Sequence, residues 1–137
     1  MEKVIMKTTH TATGYCCMCD LIPGWTTSHG HDFRKFDMYV RESIDFYVDC
    51  AKKNGDEYPK VFDGEYEIEY QFDVPALLHY YQGTLSFSGL QRITGVNQKQ
   101  LAHYASGRSR PMKRQAIKIV EGIHAFANEL NGLSINV

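Results

Sequence analysis

The residues best equipped for chemistry lie in two runs. The first, GYCCMCDLIPGW, places Cys16, Cys17 and Cys19 within four positions. Thiols at that density bind metal, exchange disulfides or fill a core. A tetrahedral zinc site needs four converging donors, commonly as Cys/Cys or Cys/His pairs; Cys17 and Cys19 with His29 and His31 make a nominal Cys2His2 set. Against that set, a CxC step inside a strand splays its sulfurs, and no CxxC knuckle or thioredoxin-type motif is present. Free cysteine packs readily as a small apolar side chain, so the expectation is a core-filling role with no metal and no cofactor. The carboxylates lead the same way. Glu65, Glu67 and Glu69 fan along one strand face, whereas hydrolysis of a phosphodiester by two metal ions needs acids that converge. Asp20 stands alone at a strand end, and no GxSxG, P-loop or HExxH motif occurs. His10, His79 and His124 read as ordinary half-buried histidines. No enzyme is expected.

The second run is LQRITGVNQKQLAHYASGRSRP. It lies in a basic half: residues 86–137 carry 7 Lys/Arg against 2 Asp/Glu, whereas residues 1–85 carry 8 against 14. The formal net charge of −1 therefore hides two oppositely charged parts, and a basic part is the candidate for nucleic acid. The run reads as two short helices, Ser86–Thr94 and Asn97–Ser106, joined by a tight turn at Gly95-Val96, which is a helix-turn-helix pattern. Leu90, Ile93, Val96 and Leu101 supply its core. Asn97 caps the second helix, whose first turn exposes Gln98, Lys99 and Gln100, side chains suited to base edges and phosphates. His103 lies one turn further on. Arg108 and Arg110 suit phosphate contact, and Ser86 and Ser88 flank a helix N-terminus able to hold a phosphate. Tyr104 completes the expected DNA-binding set.

The remaining elements must position these residues. Residues 2–9 read as a strand, YCCMC as a second, and Trp25–Ser28 as a short third. Within the second, Tyr15, Cys17 and Cys19 share one face while Cys16 and Met18 share the other. Phe33, Phe36, Val40, Ile44, Tyr47 and Val48 recur at helical spacing after an Asp32 cap, and Asn54-Gly55 ends the helix. EYEIEYQF alternates Tyr66, Ile68, Tyr70 and Phe72 against polar residues, a half-buried strand. Asp73 caps a helical stretch, VPALLHYYQ. Pro111 opens a long helix with Ile117, Val120, Ile123, Ala127 and Leu130 on one stripe. The expected class is α+β: a small antiparallel-type sheet with one helix over residues 1–72, strand order open, followed by an all-α helix-turn-helix domain over 73–137. Tyr66, Tyr70 and the LSINV tail read chiefly as core, with self-association as the lesser alternative. No apolar run approaches a membrane span and no secretion signal opens the chain, so a cytoplasmic protein is expected.

Two resemblances add to this reading. The pattern L-x-x-I-T-G-V-N-Q-x-x-L-x-x-Y-x-S-G-R-x-R-P, within residues 85–123, resembles the helix-turn-helix of the lambda-repressor/Cro group, the XRE-type regulators. Phe87 departs from the polar residue frequent at the head of that group's first motif helix. In the front half, Asp20-Leu21-x-Pro23-Gly24, then Gly30, a helix from Asp32 and Gly55 through Tyr58-Pro59 are similar to the HicB antitoxin family. Here Ile22 is inserted before Pro23, Trp25 stands where a cysteine is frequent, and Arg34-Lys35 replace an acidic pair. The resemblance implies a partial RNase H-like domain joined to a DNA-binding module. It implies a type II antitoxin and autorepressor that neutralises a small, basic, HicA-like mRNA-cleaving toxin. Its partners would be double-stranded operator DNA, that toxin, and a second copy or more of the chain. The alternative is a stand-alone regulator whose front domain senses a small ligand or another protein.

Overall fold

A computed structural model describes residues 1–137, as an α+β chain with a four-stranded sheet and five α-helices. It divides into two compact units, Met1–Ala76 and Leu77–Val137, so the division falls inside a helix and not ahead of it at residue 72. No helix is long and apolar enough to cross a membrane.

In the first unit β1 (Glu2–Thr11) turns back into β2 (Gly14–Met18), and β3 (Thr26–Ser28) follows. A helix, α1 (Phe33–Asn54), then leads to β4 (Tyr66–Phe72) by way of a 3-10 turn at Lys60–Asp63. The sheet order is β3-β2-β1-β4. The β1–β2 and β2–β3 pairs are antiparallel, but β4 runs parallel to β1, with Val4 opposite Ile68 and Met6 opposite Tyr70. The sheet is therefore mixed and not purely antiparallel. The physical reason is α1: parallel neighbours need a long crossover, and a helix lying across one face supplies it.

Alternation works as expected. Val4, Met6 and Thr8 of β1, and Tyr15 and Cys17 of β2, are buried on the face that α1 covers, and Cys19 is buried just beyond the strand. Cys16 is half-buried and Met18 exposed. From α1, Phe36, Val40, Ile44, Val48 and Ala51 close the core, with Phe33 and Tyr47 at its margin. The helix begins where Asp32 Oδ1 accepts from the Lys35 amide at 3.2 Å. Tyr66 and Tyr70 are half-buried against this core; the Tyr70 hydroxyl donates to Asp37 Oδ1 at 2.6 Å, and burial followed by that carboxylate pushes its pKa well above the usual phenol range.

Leaving the sheet, the Asp73 amide donates to the Thr8 carbonyl at 3.0 Å, and its carboxylate accepts from the Ala76 amide at 3.0 Å, starting α2 (Val74–Tyr80). The second unit is completed by α3 (Phe87–Thr94), α4 (Gln98–Ser106) and α5 (Lys113–Asn131). Leu78, Leu90, Leu101 and Ile119 are its fully buried side chains. The stripe expected to seat α5 needs correction. Ile119 and the half-buried Gln115, Ala116, Ile123 and Phe126 face inward, while Ile117 (45% exposed), Val120 and Leu130 (51%) face outward. Gly122 sets this phase, because a Cβ there would stand 2.6 Å from the Ile93 carbonyl oxygen and 2.7 Å from Thr94 Cα. The side of α5 without a side chain is the side pressed on α3.

Thiol reactivity tests the core assignment. Burial, then the neighbouring Cys16 and Cys19 thiols, push the Cys17 pKa from 9.0 up to about 12. Only the thiolate is an effective nucleophile, so iodoacetamide near pH 8 should label half-buried Cys50 first and Cys17 and Cys19 only as the protein unfolds. Labelling of Cys17 at the rate of a free thiol would contradict this packing. A thiol with a raised folded-state pKa adds stability in full below 9.0, and that stability is lost as pH rises towards about 12.

Candidate nucleic-acid interface

The second unit brings most of the basic run onto one short turn and the helix after it. Ser86 caps α3, its Oγ accepting from the Gly89 amide at 3.0 Å and lying 3.2 Å from Ser88 Oγ. At the other end the chain must reverse within three residues. Gly95 does so with φ of 77°, a left-handed conformation that costs a residue with a Cβ but not glycine. Thr94 locks the turn: its hydroxyl donates to the Leu90 carbonyl at 2.6 Å and accepts from the Val96 amide at 3.1 Å. Val96 is buried between the helices.

The start of α4 is satisfied twice. Asn97 Oδ1 accepts from the Lys99 amide at 2.8 Å, and Gln91 Oε1 reaches across from α3 to accept from the Gln98 amide at 2.8 Å. A helix N-terminus has four amides without intrahelical partners; Asn97 satisfies one from the cap position, and Gln91 satisfies another while tying the start of α4 to α3. Gln91 escaped notice because nothing local marks a residue seven positions upstream as a cap. With the backbone held in this way, the Gln98 and Lys99 side chains are exposed on the first turn. Arg108 and Arg110 are exposed on the loop after α4.

Other expected members of the set are placed differently. Tyr104 is 4% exposed and packs in the core of the unit, so little of its ring is open to a ligand. Its aromatic ring contributes more buried there than in a polar loop. Gln100 is half-buried, its Nε2 donating to Ser109 Oγ at 3.3 Å, so it braces the loop after α4. His103 is half-buried. Asn97 is exposed, but its carbonyl oxygen is spent on capping, leaving only its amide nitrogen for a ligand. Lys118 joins from α5: it lies over Gly95, where a Cβ would meet its Cε at 3.4 Å. Lys118 and Arg110 border a groove of about 510 Å³ that also takes in Asn97, Gln100 and Gln115. Sequence spacing gave no sign of Lys118, which sits more than twenty positions from the turn.

In the first unit, the nominal Cys2His2 set does not assemble. Cys17 and Cys19 are buried. His29 stacks on Tyr39 with centroids 5.0 Å apart, and His31 Nδ1 lies 3.0 Å from His10 Nε2. No three His, Cys, Asp or Glu side chains gather as metal donors. Asp20 is paired with Lys7 at 2.9 Å, and Glu67 and Glu69 are exposed along β4. His79 Nε2 lies 2.9 Å from the Ala105 carbonyl oxygen, joining α2 to the end of α4. Compared with models of known families, with curated proteins and with solved structures, the chain matches none.

The seating of α5 against α3 is what holds Lys118 over the turn. Gly122→Ala should therefore lower stability by about 1–3 kcal/mol, the usual cost of overpacking, in a urea melt followed by circular dichroism. An unchanged or raised midpoint would show that α5 does not press on α3 in this way.

Proposed function

We propose that the chain is a DNA-binding repressor whose second unit uses α3 and α4 as a helix-turn-helix of the lambda-repressor/Cro type. The observation that carries the reading is the doubly capped start of α4: Gln98 and Lys99 project from a rigid first turn, Arg110 and Lys118 border the groove beside Asn97, and Arg108 is exposed on the loop after α4. Gln98 would read a base edge, Lys99 and the arginines would hold phosphates, and Ser86 and Ser88 would fix the register of α3 on the backbone. Two copies would read a palindrome, and the exposed Ile117, Val120 and Leu130 stripe of α5 offers them an apolar face to share.

For the first unit, the proposal is an HicB-like antitoxin domain of partial RNase H-like fold that holds a small basic HicA-like toxin, making the whole a type II antitoxin and autorepressor. The β1-β2-β3-α1-β4 order and the excess of carboxylates over Lys/Arg in residues 1–85 support it. A binding role without catalysis accords with acids that lie paired or spread apart. A second reading, a stand-alone regulator that senses a small ligand, is favoured by one feature. A groove of about 440 Å³ lies beside β1, β2 and β4, lined by Lys7, Cys16, Met18, Gln71 and Asp73 among others.

Salt dependence of duplex binding tests the DNA reading. Lys99→Ala, Arg108→Ala and Arg110→Ala should each flatten the plot of log affinity against log salt by about one counterion. Gln98→Ala should lose about 1–3 kcal/mol on a specific site while leaving random duplex unaffected. Unchanged slopes, or equal losses on both duplexes, would remove these residues from their proposed roles.

A further inference from the structure

The outer side of α1 carries a groove that none of the roles above uses. Trp25, from the segment before β3, and Tyr39, Phe46 and Tyr47, from α1, line a depression of about 470 Å³ with Glu42 at its border. Phe46 is 71% exposed, an unusual place for a large aromatic ring in the middle of a 22-residue helix. Buried core on the opposite side of α1 accounts for Phe36, Val40, Ile44 and Val48, so nothing in the packing of the unit calls for Phe46. Glu42, which lines the groove, is exposed and held in no ion pair, whereas Asp37 on the same helix is engaged by Arg41.

Aromatic faces bordered by an uncommitted carboxylate suit a cation. The ring quadrupole attracts a guanidinium or ammonium group over its face, and a nearby carboxylate adds a charge-assisted hydrogen bond, best with the planar guanidinium. We propose that this groove is the docking site for a basic polypeptide partner, and that it seats an arginine side chain among Trp25, Phe46 and Tyr47 against Glu42. The assignment deepens the reading of the first unit as a module that holds a basic protein, and rests on it. Charge complementarity selects the occupant: the unpaired Glu42 in the groove, within a unit whose residues carry more Asp/Glu than Lys/Arg, disfavours a nucleic acid or an acidic chain.

Trp25 is the only tryptophan, so its fluorescence reports on the groove without a label. The full chain is titrated with a hexa-arginine peptide. A saturable change in Trp25 emission is expected, with affinity reduced about fivefold or more in Phe46→Ala and in Glu42→Gln. Glu67→Gln, the same loss of charge on the sheet, should bind as the unaltered chain does. Phe46 is exposed, so its replacement leaves the fold intact, which circular dichroism verifies. Binding that is indifferent to Phe46→Ala, or weakened equally by Glu67→Gln, overturns the groove while leaving intact the reading that the unit holds a basic chain. No binding of the peptide at low salt overturns both.

Discussion

When β4 lies parallel to β1, it cannot be reached by a hairpin, and the chain must cross a face of the sheet to enter it. That crossover is α1, and its position follows from burying Phe36, Val40, Ile44 and Val48 on Val4, Met6, Tyr15 and Cys17. The rest of the first unit depends on this arrangement. One sheet face is covered; the other keeps Lys3, Lys7 and Met18 in solvent, with Lys3 and Lys7 paired to Glu69 and Asp20. The outer surface of α1 is released from packing duty, which is why Phe46 and its neighbouring acids stand open. The same pairing also sets the exit: β4 ends beside Thr8, whose carbonyl takes the Asp73 amide, and α2 begins at the next residue.

The second unit rests on a smaller device. Three hydrogen-bonding side chains, Gln91, Thr94 and Asn97, satisfy four backbone groups around a three-residue turn. Backbone groups left unpaired near a core are costly, so this turn has little freedom to change angle. A rigid turn is what the proposed reading of DNA requires, since side chains that meet base edges must arrive pre-positioned to give specificity and not merely charge attraction. The proposed division of labour then follows from charge: an acidic unit for a basic protein and a basic unit for a polyanion.

Much of this was legible in local pattern. Asp32, Asp73 and Asn97 were recognisable as caps because each precedes a helical apolar repeat, and the alternation of Tyr15, Cys17 and Cys19 against Cys16 and Met18 showed which side chains share a face, though not which face α1 covers. What escaped depends on contacts distant in sequence. Alternation in β4 reads the same whether its neighbour is parallel or antiparallel. Along α5, Ile117, Val120 and Leu130 repeat as regularly as Ala116, Ile119 and Phe126, and only the close approach of Gly122 to α3 decides which set turns inward. Tyr104 sits in a polar run yet is drawn into the core, and Lys118 and Gln91 join the turn from other helices. The α1 groove was invisible for a related reason: Phe46 fits a helical pattern without belonging to its buried stripe.

The central claim is that α4 reads DNA sequence, and selection of bound duplexes from a random pool by the full chain tests it most directly. The account predicts enrichment of a palindrome whose half-sites are centred about 34–36 Å apart, one helical turn or a multiple of it. A pool that stays random through successive rounds at low salt would contradict it.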